Sequence, residues 1–460
     1  MKKASTALLA LSISTAAAMA HAESVSQDFT PTSLSTTNAQ SAATGLVEGS
    51  TLGGSTKNFF AKEESTRQDL FSYQKDGTKE PTPRRDTWTQ GTIVDYTSGY
   101  TQGIIGFAAE AALYNEVALE RGHGAIAGGG NRTLTDSDGD AVDQWSKMGL
   151  GNIKARVSNT VLTAGRQSVN TPVIAYIGNR ALPSSFQGFG LKSDEFDNLS
   201  LQAGTFDRVS PRTEQSLTKF VSEYSDTRHE TSDRVSMAGA DWTPSKALTI
   251  SAYASKVEDF WNQYYFRVAH DLGDSSVLAL NTDFNYYKTK DTGQSKLGGI
   301  DNDTYSLAFT LSHQAHSLTL AYQKVDGDEY FDYVHETNAI FLSNSLLSDF
   351  NGPNEKSIQI AYALNMAEYG VPGLKFSLYS ARGFGIDGTH YKGGAYDSVL
   401  TMDGEKHQEY GFGTSYTLQS GPLKASSMKA TYTTHRASTN QIDGSLRELR
   451  IVTTIPFKFF

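Results

Sequence analysis

From Ser357 to Met366 the side chains fall into two sets. Ile358, Ile360, Tyr362, Leu364 and Met366 share one parity, and Ser357, Gln359, Ala361, Ala363 and Asn365 share the other. A period of two sends successive side chains to opposite faces of a sheet, so this segment reads as a strand with an apolar face and a wet one. The same alternation recurs along the chain. Strands are predicted at Lys57 to Glu64, Thr87 to Thr97, Gly103 to Leu119, Gly151 to Val157, Val161 to Ser168 and Ser184 to Lys192. They continue at Asn198 to Val209, Arg234 to Thr243, Ala247 to Glu258, Trp261 to Leu272, Ser276 to Lys288 and Thr304 to Gln314. The last are Ser317 to Val325, Lys356 to Ala367, Gly373 to Gly385, His407 to Leu418, Ser427 to Arg436 and Arg447 to Phe459.

The links between these segments alternate in length. Ser98-Gly99, Ser158-Asn159, Pro244-Ser245, Gly273-Asp274, Ala315-His316 and Val371-Pro372-Gly373 are tight reversals of turn-forming residues. Between them lie long links at 65–86, 120–150, 169–183, 210–233, 289–303, 326–355 and 386–406, with one tight exception at Asp259-Phe260. Such alternation puts the short turns at one end and the long loops at the other, which is how a closed antiparallel transmembrane β-barrel of about 18 strands reads, with periplasmic turns and extracellular loops. Leu278, Leu280 and Phe284, Tyr305, Leu307, Phe309 and Leu311, Leu318, Leu320 and Tyr322, and Tyr410, Phe412, Tyr416 and Leu418 form the outward, lipid-facing set. A soluble sandwich could bury the same residues, but rarely carries so many strands and long links in one domain.

Composition agrees with that choice. With 41 glycines and 38% hydrophobic residues the chain is a poor recipe for a large layered core. A barrel needs none, because its backbone bonds close between strands and its lumen is polar. After residue 22 no apolar run reaches the length of a helical span. Met1 to Ala22 has Lys2 and Lys3, an apolar run and Ala20-His21-Ala22, so it reads as a secretory signal cleaved before Glu23. The expected organisation is therefore a signal at 1–22, an N-terminal segment at 23–55 and the barrel at 56–460. Loss of the two leader lysines takes the formal charge from -10 to -12, which argues against a nucleic-acid partner. Without cysteine the exported fold uses no disulfide.

Parity also sorts the charges. Lys154 and Arg156 point inward because Ile153, Ala155 and Val157 take the lipid face. Arg267, Lys429 and Arg450 do so by the same argument, giving five cations from four strands. Facing lipid at mid-membrane would cost such a side chain about 2–4 kcal/mol. Asp95, Glu110 and Asp283 also turn inward. Other signals carry no site. Asp136, Asp138 and Asp140 miss the EF-hand spacing, since Gly139 precedes the third aspartate and Lys147 stands at position twelve. His313 and His316 flank a tight turn without a third ligand, and Gly128-Gly129-Gly130 lacks the Lys-Ser/Thr of a phosphate loop. No cofactor, no metal and no enzymatic chemistry are expected.

Seven stretches, in order and spread over the mature chain, resemble one family. They are Gly45-Leu46-Val47-Glu48, Asp86-Thr87-Trp88-Thr89-Gln90-Gly91, Tyr100-Thr101-Gln102-Gly103, Lys154 to Leu162, Ser193-Asp194-Glu195-Phe196, Leu199 to Gly204 and Gln419 to Lys424. The chain looks like the OprD-type substrate-specific porins of Pseudomonas and relatives, and most like the OprE branch. The resemblance implies an eighteen-strand outer-membrane barrel whose third and seventh loops narrow the lumen. It also implies passive diffusion of small solutes that carry a carboxylate, such as amino acids, organic acids and some antibiotics, along a column of basic side chains.

On that basis residues 169–183 form the narrowing loop, drawn inward by Val173, Ile174, Tyr176 and Ile177. Tyr176 and Arg180 then join Arg166 and Arg382 as constriction residues. The loop 326–355 opens with Asp326, Asp328, Glu329 and Asp332, an acidic cluster expected to face the basic column and receive an ammonium group. One inward cation, Lys429, stands where the family's basic-amino-acid members have two, which argues against a basic amino acid as substrate. Expected partners are small solutes, outer-membrane lipid and lipopolysaccharide, and the barrel works as a monomer or a weak homotrimer. Two readings compete with transport. One is a barrel protease or lipase, which needs Ser, His and Asp converging near one rim. The other is a plugged adhesion or phage-receptor barrel acting through loops 120–150 and 326–355.

Overall fold

A computed structural model describes residues 39–67, 69–75, 78–120, 134–136, 140–227 and 229–460. The signal, most of the N-terminal segment, Asp138 and Gly128 to Gly130 lie outside the described residues. Eighteen antiparallel strands make one sheet that closes on itself. In chain order they are β1 (Thr51–Ser65), β2 (Arg84–Thr97), β3 (Ile105–Ala118), β4 (Gln144–Val157), β5 (Thr160–Gln167) and β6 (Ser185–Phe196). Then come β7 (Leu199–Ser210), β8 (Val235–Ser245), β9 (Leu248–Val257), β10 (Trp261–Asp274), β11 (Leu278–Asp291) and β12 (Asp301–His313). The ring ends with β13 (His316–Asp326), β14 (Lys356–Asn365), β15 (Leu374–Asp387), β16 (Asp403–Thr417), β17 (Ser427–Ala437) and β18 (Leu446–Lys458). Each strand pairs with its chain neighbours, and β1 also pairs with β18, Phe59 opposite Val452. Closure leaves no edge, so no backbone donor or acceptor is left facing lipid.

All eighteen predicted segments fall on one strand each, and the two largest differences at a start are six and seven residues. β1 starts at Thr51 rather than Lys57, because Gly53-Gly54-Ser55, a weak strand sequence, is bonded on both sides, to Lys458-Phe457-Pro456 and to Asp95-Val94-Ile93. β4 starts at Gln144 rather than Gly151. A bulge sets Ala112 opposite Leu150 but Leu113 opposite Met148, so the inward parity changes from Trp145 and Lys147 to Asn152 and Lys154. A period that switches phase in mid-strand is invisible to a search for strict alternation.

The outer surface carries exposed Ile153, Leu162, Phe309, Leu320, Ile360, Leu378 and Phe412. Inward rows are small and polar, with hydroxyl pairs such as Thr310–Thr319 at 2.8 Å and Ser312–Ser317 at 2.9 Å. Contrary to the expectation from composition, the molecule also contains a packed apolar core. Inside the long-loop half, the loops after β5, β7, β11, β13 and β15 pack a true core, in which Ile174, Phe220, Leu297, Phe331 and Tyr396 meet inward Tyr265 and Tyr287 of the wall. The apolar residues that the strands do not use for lipid are spent here.

The inner wall also packs through matched sizes. Tyr379 of β15 lies against Gly411 of β16, its direct cross-strand partner, and a Cβ at 411 would stand 2.0 Å from the ring. The tyrosine hydroxyl reaches Glu409. Gly411→Val must therefore evict the ring and break that bond, an overpacking cost of about 1–3 kcal/mol. The expected result is a lower urea midpoint for the barrel in lipid vesicles, followed by heat-modifiable gel mobility. An unchanged midpoint would mean that the ring has somewhere else to go.

Candidate conduction pathway

The loop 168–184 between β5 and β6 crosses the bore. At one end Pro172 accepts a 3.0 Å hydrogen bond from the Tyr287 hydroxyl on β11. At the other, Lys57 Nζ on β1 donates to the carbonyls of Gly178 and Arg180, both at 3.1 Å, and Ala181 O lies 2.8 Å from where a Cβ on Gly91 of β2 would stand. β2 and β11 are half a circuit apart in the ring. Buried Val173, Ile174, Ile177 and Leu182 explain why the segment leaves water. The loop 327–355 braces it: Asn338 N donates to Ala175 O at 2.9 Å, Tyr176 bridges to Thr337, and the Ser184 hydroxyl donates to Glu336 O at 2.8 Å. Burial would push the Glu336 carboxyl up, but Arg212, whose Nε lies 3.3 Å away, and His335 hold it below the ordinary glutamate range.

Beside the landing point of the crossing loop, one wall carries a descending series of cations. Register sets their heights. Arg85 lies opposite Glu63, Arg450 opposite Ala61, Lys429 opposite Val452, which itself faces Phe59, and Lys57 opposite Thr454. Each step is two residues, roughly 7 Å. Arg180 reaches in from the loop with Cζ 5.6 Å from the Phe59 ring, and Arg450 Cζ lies 5.7 Å from the same ring. Among the described residues, Arg85 is offset locally by Glu63 at 2.5 Å and Arg450 by Glu448 at 2.7 Å. Buried Glu116 lies in the field of Lys147, Lys57 and Arg180.

All five cations assigned inward by parity point inward, but they do not make one column. Lys429 and Arg450 belong to the wall just described. Lys154 Nζ sits 3.0 Å from Glu110 on the far side of β2 and β3. Arg156 lies at the short-turn mouth, stacked 3.7 Å over the Tyr100 ring, with Nε donating to Gln40 at 2.9 Å. Arg267 on β10 is forked onto Asp283 at 2.9 and 2.7 Å. Two constriction residues are corrected. Arg166 pairs opposite Gly151 and Gln187, shares the outward parity of Leu162 and Ala164, and donates to Met148 O. Arg382 is exposed opposite Ile358 and outward like Leu378, because the register shift of β15 comes only at Phe384. Tyr176 and Arg180 do lie in the crossing loop.

The acidic cluster is corrected as well. Asp326 is outward on β13, paired with Lys324 at 2.9 Å. Asp328 accepts from Asn354, and Glu329 from the backbone of Asp301. Asp332 is buried where it accepts from the Ser222 and Tyr396 hydroxyls and from the backbones of Tyr224 and Tyr333. It knits three loops together rather than facing the bore, and burial pushes its carboxyl up to about 6. Sequence reasoning missed Lys57, Arg85 and Lys147. Lys57 was legible from the parity of Phe59 and Ala61, Arg85 precedes the predicted strand, and Lys147 lies beyond the bulge.

A closed, polar-lined ring with an apolar outer belt and a loop across its bore is a membrane-spanning β-barrel channel. The family model described as outer membrane porin, OprD family, matches residues 44–459. Porin D of Pseudomonas aeruginosa is 36% identical over 429 residues, covering 91% of this chain and 93% of that one. The porin-like protein GalP of Pseudomonas putida is 30% identical over 381 residues, covering 81% and 86%. The crystal structure of Pseudomonas aeruginosa OccD3 (OpdP) is similar at 49% identity, 92% and 94% coverage and a TM-score of 0.80. The chain belongs to the OprD family: it is an outer-membrane porin for selective diffusion, a channel without enzymatic chemistry, in contact with outer-membrane lipid.

The loop that braces the crossing segment carries an acid held outside its ordinary range. Burial, with Asp328 and Asp301 nearby, pushes the Glu329 carboxyl from 4.5 up to about 7. A raised acid favours the folded loop while protonated, so its contribution is full below pH 4.5 and is lost as pH rises through 7. Single-channel current should flicker severalfold more at about pH 8.5 than at about pH 5.5. Glu329→Gln keeps the acceptor for the Asp301 N–H and should remove most of the difference. Equal pH dependence in the variant would assign it to another group.

Proposed function

We propose that the channel conducts small carboxylate-bearing solutes along the wall of β17, β18 and β1. The observation that carries this reading is the rise of Lys57, Lys429 and Arg450 in two-residue steps beside Arg180 of the crossing loop. In a water-filled bore walled by lipid, such charges act over a longer range than in bulk water and concentrate anions at the narrow point. Lys154, Arg267 and Arg450 each have a carboxylate at ion-pair distance, Glu110, Asp283 and Glu448, so each adds less net attraction than its charge alone would give. A single inward cation at the start of β17, Lys429, disfavours a basic amino acid as substrate. An OprE-type specificity is part of this proposal, whereas the matching relatives carry the names Porin D, GalP and OccD3. Because one chain closes the ring by itself, a single barrel is the transport unit.

The outward face supports a second contact, with lipopolysaccharide. Near the long-loop end Lys324 lies opposite Lys356, Arg382 lies one step below them, and Arg436 follows across Gln408, with Lys406 beside Phe384. These five cations on adjacent strands face outward at the height of the outer-leaflet headgroups, where phosphates are their natural partners.

Reversal potentials of the purified protein in planar bilayers, with glutamate or benzoate set against chloride, test the first reading. Wild type should prefer carboxylates and show their blockade, and Lys429→Gln should weaken the blockade severalfold while Arg156→Ala changes it less. Conductance indifferent to both solute and substitution would leave a general pore. For the second reading, Lys356→Glu combined with Arg382→Glu should lower the lipopolysaccharide retained on purification at unchanged conductance, and equal retention would refute it.

A further inference from the structure

His407 of β16 and His435 of β17 turn inward at the long-loop end, beside Asp443 of the loop 438–445. His407 is 3% exposed and His435 1%. His407 Nε2 lies 2.6 Å from Glu355 Oε1 and His435 Nδ1 lies 2.7 Å from Gly444 O. A carboxylate and a carbonyl only accept, so both of those ring nitrogens carry hydrogen. In neutral imidazoles the remaining nitrogens, His407 Nδ1 and His435 Nε2, then present lone pairs, and they face each other at 2.7 Å. Two lone pairs at that distance repel unless a positive centre lies between them. The carboxylate of Asp443 converges on the same point, with the ligand atoms of all three residues within 4.8 Å of one another.

We propose that His407 Nδ1, His435 Nε2 and the Asp443 carboxylate form a site for a divalent transition metal of the zinc type. Ligating histidines usually give their other N–H to a carboxylate or a backbone carbonyl, which fixes the tautomer and raises ligand basicity. Glu355 and Gly444 are one of each. Two nitrogens bound to a tetrahedral zinc at about 2.0–2.1 Å stand roughly 3.3 Å apart, so the rings need to part by roughly 0.6 Å. Ser348, whose hydroxyl lies 2.6 Å from Asp443 Oδ2 and 3.4 Å from His407 Nδ1, or a water, takes the fourth position. Ser348, His407 and Glu355 also meet the convergence that a hydrolase would need at one rim. They do not act as one, because Ser348 is 2% exposed and gives its proton to Asp443.

The ion would clamp the loop that braces the constriction. Ser348 and Glu355 belong to the loop 327–355, the histidines to the wall, and Asp443 to the neighbouring loop, so one ion joins three elements. Metal supply would then tune how firmly the crossing loop is held.

The test uses the untagged full chain in detergent, stripped with chelator and titrated with Co2+ near neutral pH. The expected result is one equivalent of cobalt with the visible bands of a tetrahedral nitrogen–oxygen site, displaced by Zn2+. His435→Gln should abolish the bands, and Asp443→Asn and Glu355→Gln should weaken binding about 10–100-fold. Heat-modifiable mobility reports folding for each variant, and the two carboxylate variants decide the matter if His435→Gln does not fold. Absence of stoichiometric cobalt binding by folded wild type, or equal binding by all variants, would overturn the site and leave a shared proton between the rings.

Discussion

Lipid supplies no hydrogen-bond partner, and everything else in this molecule follows from that. The backbone has to satisfy itself, which it does by pairing β1 with β18 and abolishing the edge. Once the ring is closed, every strand has one face in hydrocarbon, and the two-residue period sends each alternate side chain into the bore. Charges within the apolar belt have no other place to go. Lys429, Arg450, Lys57 and Arg267 are inward because Met428, Ile451, Phe60 and Phe266 beside them are outward. The electrostatic lining is thus a by-product of the same constraint that builds the wall.

That constraint also explains what could be read from the chain alone. Wherever the alternation ran unbroken, as in β10 to β14, strand, phase and facing were all legible, and the inward set included Arg267 and Asp283. It failed at Gly149, where a bulge reverses the parity and hid Lys147, and at Gly53-Gly54, whose strand conformation comes from neighbours on both sides rather than from propensity. Arg382 shows the opposite error. Its parity points outward with Leu378, whereas the family resemblance implies a place at the constriction. Near the rim an outward arginine costs little, because it sits at headgroup height.

Loops obey different physics, and here the sequence said least. The acids Glu329 and Asp332 look like a charged surface in one dimension, yet in three they are buried acceptors for hydroxyls and backbone N–H groups of other loops. No local pattern announces such a role, because the donors lie on Ser222, Tyr224 and Tyr396, far away in the chain. What was legible was the oily run Val173-Ile174-Ala175-Tyr176-Ile177, since such a segment between two strands has to find cover. The bore was the available cover.

Selectivity then depends on what remains after local pairing. An inward cation matched by an inward acid, as in Lys154–Glu110 or Arg267–Asp283, produces a dipole whose field falls off within a few ångströms, and a solute passing along the axis feels little of it. A cation whose counter-charge is a distributed backbone dipole behaves differently. Lys57 gives hydrogen bonds to the carbonyls of Gly178 and Arg180 and so ties the crossing loop to the wall, and among the described residues it forms no direct ion pair, although buried Glu116, shared with Lys147 and Arg180, lies in its field. The residue that anchors the narrowest segment is therefore also one that makes it electropositive. Fold and permeation meet in that one ammonium group.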